Sequence, residues 1–575
     1  MVSPNLAKRT EEDRPVEINP DTKKLFQIIY SEKNKKVEVD DDVPKIKVST
    51  LISRVAFFYE KVRNAVDYEE EHLLRKNAIA RILRRQIIIE GVLIETDGAK
   101  IAEHLLVELI RASYLSNNTI PETKIGEVAG LLEKYIRLKD TIAAKINAGL
   151  NLKTDITEAK DLIAEKTKIG NWLLGLAACE IEEILSPNPI KQTIVDSLFS
   201  ILHKNIKLPA DLPYEKDLEI QIYLSIGRTF SKLDEDMLSF ILFKYYNPGW
   251  SAISSGKNLT AAEDGQINEI ASHVASLREK ITGQLNHPLI RQLDHIVRVY
   301  SLYFSVLSET IEGDPAKVYN ELQKGEKSFI ALVRKVFNSK YLKAKSRLWR
   351  AALRGIIYIF LTKSIFVVLI EVPAIKFFNE PINPVSLGIN IAFPAVLLFI
   401  IVALTRKPRE NNTDKIINGV KEIAFVGSEK KQPLMLRRPA RRNWVKDGIF
   451  HLIYAASFCF SVFVIVWALN KINFNWVSII IFLFFLAFVS FFSVLTTKGV
   501  KDLIIVDRRE NIFTFLTDLF YMPIILVGRW LSSQFSKINV FIFLFDFIIE
   551  APFKVLMEIA EDWTKYVRER RDNVE

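Results

Sequence analysis

The sequence predicts an all-α protein in which a large helical domain precedes a polytopic α-helical membrane domain. Long apolar segments begin at Gly355 and recur almost to the C-terminus, and residues 476–495 carry no charge. About 20 such residues are what an α-helix needs to cross roughly 30 Å of hydrocarbon. The preceding part of the chain is charged, and its apolar side chains recur at spacings of three and four, the period of an amphipathic helix. Few segments alternate as strands do.

Length and charge indicate more than one domain. The chain has 575 residues, more than one hydrophobic core accommodates. Its whole net charge of +10 lies in residues 347–575, which hold 29 Lys and Arg against 19 Asp and Glu, whereas residues 1–346 hold 49 of each sign. Because nucleic acid is bound largely by an excess of Lys and Arg, a neutral N-terminal part argues against nucleic acid as a partner.

Changes in composition divide the chain into five predicted segments. These are a disordered polar tail (1–48), a cytoplasmic all-helical domain (49–323), a basic amphipathic juxtamembrane helix (324–354), a membrane domain (355–560) and a charged cytoplasmic tail (561–575). The N-terminal tail is too polar to fold alone. Its one apolar island, residues 25–30, either docks on another part of the protein or forms a transient strand.

The helical domain is predicted to contain about eight to ten helices. Helix ends are expected at four proline-containing breakers, residues 119–122, 186–189, 208–213 and 247–250, since proline excludes the preceding residue from helical geometry. Asp234 and Asp314 are predicted N-caps, whose carboxylates accept free backbone N–H groups. No fixed-length repeat is evident, and the pattern fits both a bundle and a solenoid.

The basic segment 324–354 contains ten Lys and Arg residues against the single acid Glu326. Four aromatic residues are interleaved with them, a pattern typical of a helix lying on an anionic leaflet. An ordinary topology signal gives the same excess of charge, and the two interpretations are compatible. The predicted contacts with anionic lipid, here and in the loop after the second span, are Lys340, Lys343, Lys345, Arg347, Arg350, Arg354, Arg437, Arg438, Arg441 and Arg442.

Six apolar segments are predicted as membrane spans, at about residues 355–378, 384–404, 449–469, 474–497, 511–530 and 538–558. Basic residues are concentrated ahead of the first span, in the loop 405–448, after the fourth span and in the C-terminal tail. Because short cytoplasmic loops carry the excess of Lys and Arg, the helical domain, this loop and both termini are predicted to face the cytoplasm. The last two segments contain internal acids and either span the membrane or form a re-entrant hairpin.

Five ionisable residues fall at membrane depth, where a charge is costly and therefore marks a candidate functional position: Lys363, Glu371, Asp518, Asp546 and Glu550. Lys363 and Glu371 are eight residues apart, about 12 Å along the helix axis, which predicts that they do not pair directly and that each reaches a different headgroup layer. Three interpretations are open for the acids of the last two segments. They form a proton or cation relay, they pair with nearby basic residues, or they lie at the membrane interface where water hydrogen-bonds to them.

Motifs for catalysis or cofactor binding are absent from the sequence. It contains no nucleophile elbow, dinucleotide fingerprint, phosphate-binding loop or zinc-type His-Glu-x-x-His motif. Glu69 and His72 have the Glu-x-x-His spacing of di-iron bundles, which need it on two helices, and there is no second copy. The two cysteines, Cys179 and Cys459, are too few for a disulfide framework and suggest a reducing compartment. No catalytic, cofactor-binding or metal-binding residue, and no cofactor, is predicted.

These observations favour a non-enzymatic platform in the cell (inner) membrane. Its helical cytoplasmic domain would contact proteins and the inner leaflet during membrane organisation or the assembly of a membrane complex. The predicted partners are anionic lipids and either another protein or further copies of this chain. The alternative is a transporter or channel that uses the acids of the last two membrane segments. A lipid-directed membrane enzyme is a third interpretation, with only scattered acids and His451 to support it.

Overall fold

The prediction of an all-α fold is confirmed by a computed structural model that is 84% helical. The structure describes residues 17–34, 43–49, 53–54, 56–58, 60–61, 70–90, 98–150, 156–253, 260–405, 408–426, 433–438, 444–506 and 512–537, with isolated positions between 559 and 570. Within these ranges the only strands are β1 (Ile206–Lys207) and β2 (Leu434–Met435), which pair in parallel.

The described helices before the apolar half of the chain are α1 (Pro20–Asn34), α2 (Glu71–Glu90), α3 (Gly98–Arg111), α4 (Thr123–Leu150), α5 (Ile156–Leu185), α6 (Pro189–Asn205), α7 (Glu215–Ile226), α8 (Glu235–Tyr246), α9 (Ala261–Leu285), α10 (Ile290–Gly313) and α11 (Pro315–Lys324). The later ones are α12 (Glu326–Phe366), α13 (Val372–Phe377), α14 (Pro384–Ala403), α15 (Glu410–Ala424), α16 (Trp444–Lys471), α17 (Trp476–Lys501) and α18 (Ile512–Lys537). Three short irregular turns extend helices: a π turn after α7 (Gly227–Ser231), a 3-10 turn after α8 (Pro248–Ala252) and a π turn joining α12 to α13 (Val367–Glu371).

The chain divides into two compact units. The helical unit comprises Tyr30–Ser301, Pro433–Arg437 and Phe541–Glu575, and the membrane unit comprises Met1–Ile29, Leu302–Gln432 and Arg438–Val540. The predicted helical domain runs on to residue 323, whereas the compact unit ends inside α10. The reason is that α11 packs on α12, and Lys340 of α12 donates to Glu309 of α10 at 2.7 Å.

The helical unit is a bundle in which six helices share one large apolar core. α2, α3, α4, α5, α8 and α9 all contribute buried apolar residues to the same cluster. The sequence of α3 explains why it packs on this core, because its buried residues Ile101, Leu105 and Leu109 recur every four residues and line one face of the helix. In a solenoid each repeat contacts only its neighbours, whereas α2 here packs on both α3 and the more distant α5.

Capping residues begin two helices where the sequence predicts them. The Asp234 carboxylate accepts from the backbone N–H of Met237 at 3.0 Å, and Asp314 accepts from that of Lys317 at 3.0 Å. The breaker at 247–250 also acts as predicted, because α8 ends at Tyr246. The Asp234 cap and the breaker together fix the length of α8.

The prediction of a disordered tail over residues 1–48 is wrong for its middle part. Residues 20–34 form α1, and Leu25, Phe26 and Ile29 of the apolar island are buried on it. The Thr22 hydroxyl donates to the carbonyl of Ile423 at 2.9 Å, at the C-terminal end of α15. The polar composition hid this helix because one short apolar face, docked on another element, is enough to hold it.

Among the described residues, four helical segments are long and apolar enough to cross a membrane, in agreement with the first four predicted spans. They are Glu326–Phe377, Pro384–Ala403, Trp444–Lys471 and Trp476–Lys501. The fifth predicted span lies in α18, which contains Asp518 and Arg529 and is not among the four. The sixth, residues 538–558, lies outside the described residues.

Close packing joins the helices of the membrane unit. α12, α14 and α17 pack on one another, α17 also packs on α18, and α18 packs on α16. Gly528 of α18 lies directly against the backbone carbonyl of Ala487 in α17, so that any larger residue would collide there. Small residues at such crossings let transmembrane helices approach closely.

Candidate functional site

A group of buried polar side chains lies inside the membrane unit, and we call Lys363, Glu371, Asn390 and Ser478 the intramembrane cluster. They come from α12, its π turn, α14 and α17, and none has any solvent-exposed area. Polar and charged groups within such apolar helices are expensive, and they persist where they pair with one another or serve a function.

The Glu371 carboxylate is the centre of the intramembrane cluster. Its Oε1 accepts from the Asn390 amide Nδ2 at 2.6 Å and from the Ser478 hydroxyl at 2.7 Å. Its Oε2 lies 3.7 Å from the Lys363 ammonium Nζ. The carboxylate therefore ties α14 and α17 to the π turn of the first span through two short charge-assisted hydrogen bonds.

The prediction that Lys363 and Glu371 do not pair is wrong, and the π turn at Val367–Glu371 explains why. In an uninterrupted α-helix, residues eight apart point about 80° apart around the axis. A π turn adds one residue to a turn, so the separation behaves as seven residues, about 20° and about 10.5 Å. Two long side chains extending toward each other span that distance.

The first turn of α17 also favours a negative charge at Glu371. Asn475 caps this helix by accepting from the backbone N–H of Ser478 at 2.7 Å, which places Ser478 three residues into the helix. The N-terminal end of a helix carries partial positive charge, which stabilises an anion close to its first turn. The donors Asn390 and Ser478, this dipole and the charge of Lys363 all favour negative charge at this position.

Several buried polar atoms in this region have no hydrogen-bond partner among the described residues. They are Lys363 Nζ, Glu371 Oε2, Asn390 Oδ1 and, further along α17, Ser490 Oγ. The Lys363 ammonium instead sits over the ring of Phe485, 3.8 Å from its centroid, as in a cation–π contact. Buried polar groups are normally paired, and an unpaired set marks a place where water or a proton can bind.

The other predicted intramembrane charges are not brought to this cluster. Asp518 is exposed on α18. Asp546 and Glu550 lie outside the described residues, so the three-acid constellation stays a prediction. Sequence reasoning missed Asn390 and Ser478, although a polar residue inside an otherwise apolar span is a signal that can find them.

The predicted lipid contacts fall into three groups. Lys340 is engaged inside the protein, donating to Ser305 at 2.8 Å and to Glu309 at 2.7 Å. The next five on α12 are exposed and make no ion pair within the described ranges: Lys343, Lys345, Arg347, Arg350 and Arg354. Arg437 and Arg438 are exposed, and Arg441 and Arg442 lie outside the described residues.

The aromatic residues of the basic segment do not all face outward. Phe329, Phe337 and Tyr341 are buried on the inner face of α12, and only Trp349 is largely exposed. α12 also runs without a break from Glu326 into the first apolar span. The basic residues are therefore on the outer face of the helix that enters the apolar bundle, rather than on a separate helix.

A groove in the helical unit has a cavity volume of about 850 Å³. Five helices line it, α2, α5, α6, α7 and α8. Its lining includes a set of aromatic and apolar side chains alongside charged and polar ones: Phe199, Tyr223, Met237, Phe240, Ile241 and Tyr245. No sequence motif signals this groove, because its residues come from distant segments that only the packing of the bundle brings together.

Buried charges close one end of the groove. Arg75 binds Glu182 through two hydrogen bonds, of 2.7 and 2.9 Å, and donates to the Ser186 hydroxyl at 2.9 Å. Burial raises the pKa of Glu182, and the bonds from Arg75 offset part of this effect. Burial, together with the charge of Lys191, lowers the pKa of His72, so the imidazole is neutral at neutral pH.

The remaining polar groups at this end have distinct states. The buried His72 Nε2 has no hydrogen-bond partner among the described residues, while Lys191 donates to the carbonyl of Ser231 at 3.0 Å. Burial raises the pKa of the Cys179 thiol well above its usual value, which makes it a poor nucleophile. The lining of the groove thus combines aromatic and apolar side chains with a neutral imidazole and a hydrogen-bonded ion pair.

No group of three or more His, Cys, Asp or Glu side chains that could hold a metal ion occurs in the part of the chain that the structure describes. Of the Glu-x-x-His pair, His72 lies at the groove and Glu69 is outside the described residues. Comparison of this chain with protein-family models, curated proteins and solved structures finds no match.

Proposed function

We propose that the protein is a non-enzymatic membrane platform whose groove binds an amphipathic helical segment of a partner protein. The groove between α2, α5, α6, α7 and α8 carries this proposal. Its volume of about 850 Å³ lies in the range of specific binding sites, roughly 300–1,000 Å³. Laying the apolar face of a helix into an apolar groove is a common mode of protein recognition.

The wall of the groove has the composition of a binding hot spot. Phe199 and Tyr223 meet edge to face with ring centroids 5.9 Å apart, and Tyr245 projects from α8 with 53% of its surface exposed. Aromatic residues dominate the binding energy of protein interfaces because they bury a large area at low entropic cost. An apolar side chain of the partner would insert between these rings.

Charges around the groove favour a protein segment of mixed charge as the occupant. Glu71, Glu183 and Glu219 contribute negative charge, while Lys191 and Lys244 contribute positive charge. Lys244 pairs with Glu183 at 2.7 Å, so the rim offers both signs close together. A polyanion such as nucleic acid would need an excess of positive charge, which residues 1–346 do not have.

We place the protein in the cell (inner) membrane with the helical unit and both termini in the cytoplasm. The support is the concentration of Lys and Arg on α12 ahead of the first apolar span, in the loop 405–448 and after the fourth span, compared with their scarcity in the loops 379–383 and 470–473. The five exposed basic residues on α12 would contact anionic lipid at the level where the apolar span begins, each contributing about 1 kcal/mol.

The test is site-specific photo-crosslinking in cells, followed by purification of the full chain in mild detergent. A photoreactive phenylalanine analogue replaces Tyr245 in the groove or, as a matched control, Tyr319 on α11, whose exposed fraction of 51% is almost the same. A discrete crosslinked protein is expected from position 245 and not from position 319. Tyr245→Ala should lower recovery of that protein by about tenfold or more, and Tyr319→Ala should not.

Other outcomes would contradict the proposal. Equal crosslinking from both positions would mean that the contact is unspecific. A product of twice the mass of the chain would identify a second copy of this protein as the occupant. The absence of any crosslinked protein, with the chain correctly inserted and abundant, would show that the groove has no protein partner.

A further inference from the structure

We propose that the interior of the membrane unit conducts protons between the two ends of α17. Buried polar groups follow this helix from its first turn to its last. They are Ser478, Glu371 and Lys363 of the intramembrane cluster, followed by Ser490, Ser493 and Thr497, and all have an exposed fraction of 1% or less. Such a continuous set inside apolar helices is costly, and in membrane proteins it marks a path for ions or protons.

The length of this set matches a membrane. Ser478 and Thr497 are 19 residues apart on one helix, which at 1.5 Å per residue is about 28 Å. The hydrocarbon core of a bilayer is about 30 Å thick. The polar groups therefore extend over nearly the whole apolar thickness that a proton must cross.

The charged pair fills the one gap that α17 leaves. Between Ser478 and Ser490 this helix has only apolar side chains, so it offers no hydroxyl for about 18 Å. At the N-terminal edge of this apolar stretch, the Ser478 hydroxyl donates a hydrogen bond to Glu371. Lys363 reaches down to the ring of Phe485, five residues and about 7.5 Å before Ser490.

The buried atoms without a hydrogen-bond partner lie along the proposed proton path. Glu371 Oε2 and Lys363 Nζ face each other at 3.7 Å, too far for a direct hydrogen bond. Ser490 Oγ, at the far side of the gap, also has no partner among the described residues. Ser493 and Thr497 continue the set by donating to carbonyls of their own helix, at 2.7 and 2.9 Å.

One proton is transferred in three balanced steps. A hydronium ion on the side of the loops 378–383 and 472–475 protonates Glu371 Oε2, leaving water and a neutral carboxylic acid. The Lys363 ammonium releases a proton through internal water and the Ser490 hydroxyl toward the end of α17 at Lys498, leaving a neutral amine. Glu371 then passes its proton to Lys363 Nζ, which restores the original pair of charges.

The described parts of the packed helices carry few other ionisable side chains. α14 contains none, α17 contains none before Lys498, and Asp518 and Arg529 of α18 are exposed. On the first span itself, Arg354 and Lys376 are exposed on the outer surface. The charge carried through the bundle therefore depends on Glu371 and Lys363 alone.

The test is proton flux through the purified full chain in liposomes, driven by a potassium diffusion potential and read with a pH-sensitive dye inside the vesicles. With the wild type, the internal pH should change much faster than in empty vesicles, and the sign of the potential should decide whether it falls or rises. Glu371→Gln and Lys363→Met should each lower this flux by about tenfold or more, the scale of losing an acid–base group. Thr362→Ala, which removes a hydroxyl bonded to the carbonyl of Tyr358 on the same helix, should leave it unchanged.

A milder variant guards against misfolding of the charge variants. Ser490→Ala removes one unpartnered hydroxyl without creating a buried charge, so it should insert and fold normally while the flux falls several-fold. Flux in the wild type no greater than in empty vesicles would overturn the proposal. So would a Ser490→Ala or Glu371→Gln protein, folded and inserted, that conducts as the wild type does.

Discussion

Buried cations are held in opposite ways in the two units of the molecule. In the helical unit, Arg75 meets Glu182 at 2.7 Å, and the Lys76 ammonium meets Asp234 at 2.5 Å and Asp236 at 2.8 Å. In the membrane unit, Lys363 lies 3.7 Å from Glu371 and makes no hydrogen bond to it or to any other described residue.

The difference separates structural charges from functional ones. A buried charge that is fully hydrogen-bonded recovers most of its desolvation cost and fixes one arrangement of the surrounding helices. A buried charge that lacks hydrogen-bond partners does not recover this desolvation cost. It can accept another partner without first breaking a hydrogen bond. The helical unit therefore closes its buried ion pairs with hydrogen bonds, whereas the Lys363 to Glu371 pair of the membrane unit has no direct hydrogen bond.

The largest expected effect is the loss of a closed pair in the helical unit. Arg75→Met leaves the Glu182 carboxylate buried without its partner, and breaking a buried pair in this way costs about 3–5 kcal/mol. The free energy of unfolding of the purified full chain, read by hydrogen exchange in peptides of α2 and α5, measures this loss. Arg137→Met is the matched control, since the Arg137 to Asp264 pair is exposed on both sides and is worth about 1 kcal/mol or less.

A small effect of Arg75→Met would show that Glu182 finds another donor or becomes neutral, and the comparison of the two units would then fail. The double variant Arg75→Met with Glu182→Leu removes both charges. It should recover most of the lost stability, because an apolar pair of similar volume carries no desolvation cost.

A smaller effect is expected from the open pair of the membrane unit. Lys363→Met leaves Glu371 with its two hydrogen bonds from Asn390 and Ser478 and with the favourable end of α17. We expect a loss of about 1–3 kcal/mol, less than that of Arg75→Met, read by hydrogen exchange in peptides of α12 and α17. A loss as large as that of Arg75→Met would mean that the ammonium is as firmly bound as the guanidinium.

The two units also differ in how far their residues could be predicted. Periodicity and capping chemistry predicted the helices and the N-cap Asp234, because these depend on neighbours in sequence. Lys363 and Glu371 were recognised as candidates but not as a pair, since a π turn leaves no clear mark in composition. The groove could not be predicted, because Phe199 and Tyr245 are brought together only by the packing of α6 and α8 in the bundle.

The pH dependence of the helical unit is expected to depend on His72. Burial lowers the pKa of its imidazole below the usual value of 6.5, so the unfolded chain takes up this proton at a higher pH than the folded protein does. The stability that His72 contributes is therefore complete above pH 6.5 and is lost as the pH falls through its folded pKa. Unfolding measured over this range should show a steeper loss for the wild type than for His72→Gln.

His287 offers a second site of the same sign in the helical unit, because burial lowers its pKa as well. His287→Gln should also flatten the loss at acid pH. If His72→Gln steepens the loss instead, the imidazole is charged in the folded protein, and the groove has a cation at its polar end that the present geometry does not assign to it.

The smallest effect is expected from a hydroxyl that has no partner. Ser490→Ala removes a buried Oγ that makes no hydrogen bond to any described residue, so the free energy of unfolding should change by less than about 0.5 kcal/mol or rise slightly. Ser478→Ala removes a donor to the Glu371 carboxylate from the same helix and should cost about 1.5–3 kcal/mol. Hydrogen exchange in peptides of α17 compares the two directly. If Ser490→Ala destabilises the protein as much as Ser478→Ala does, then Ser490 already has a firmly bound partner such as an ordered water. The buried polar groups without a hydrogen-bond partner, which distinguish the membrane unit, would then be confined to Lys363 and Glu371.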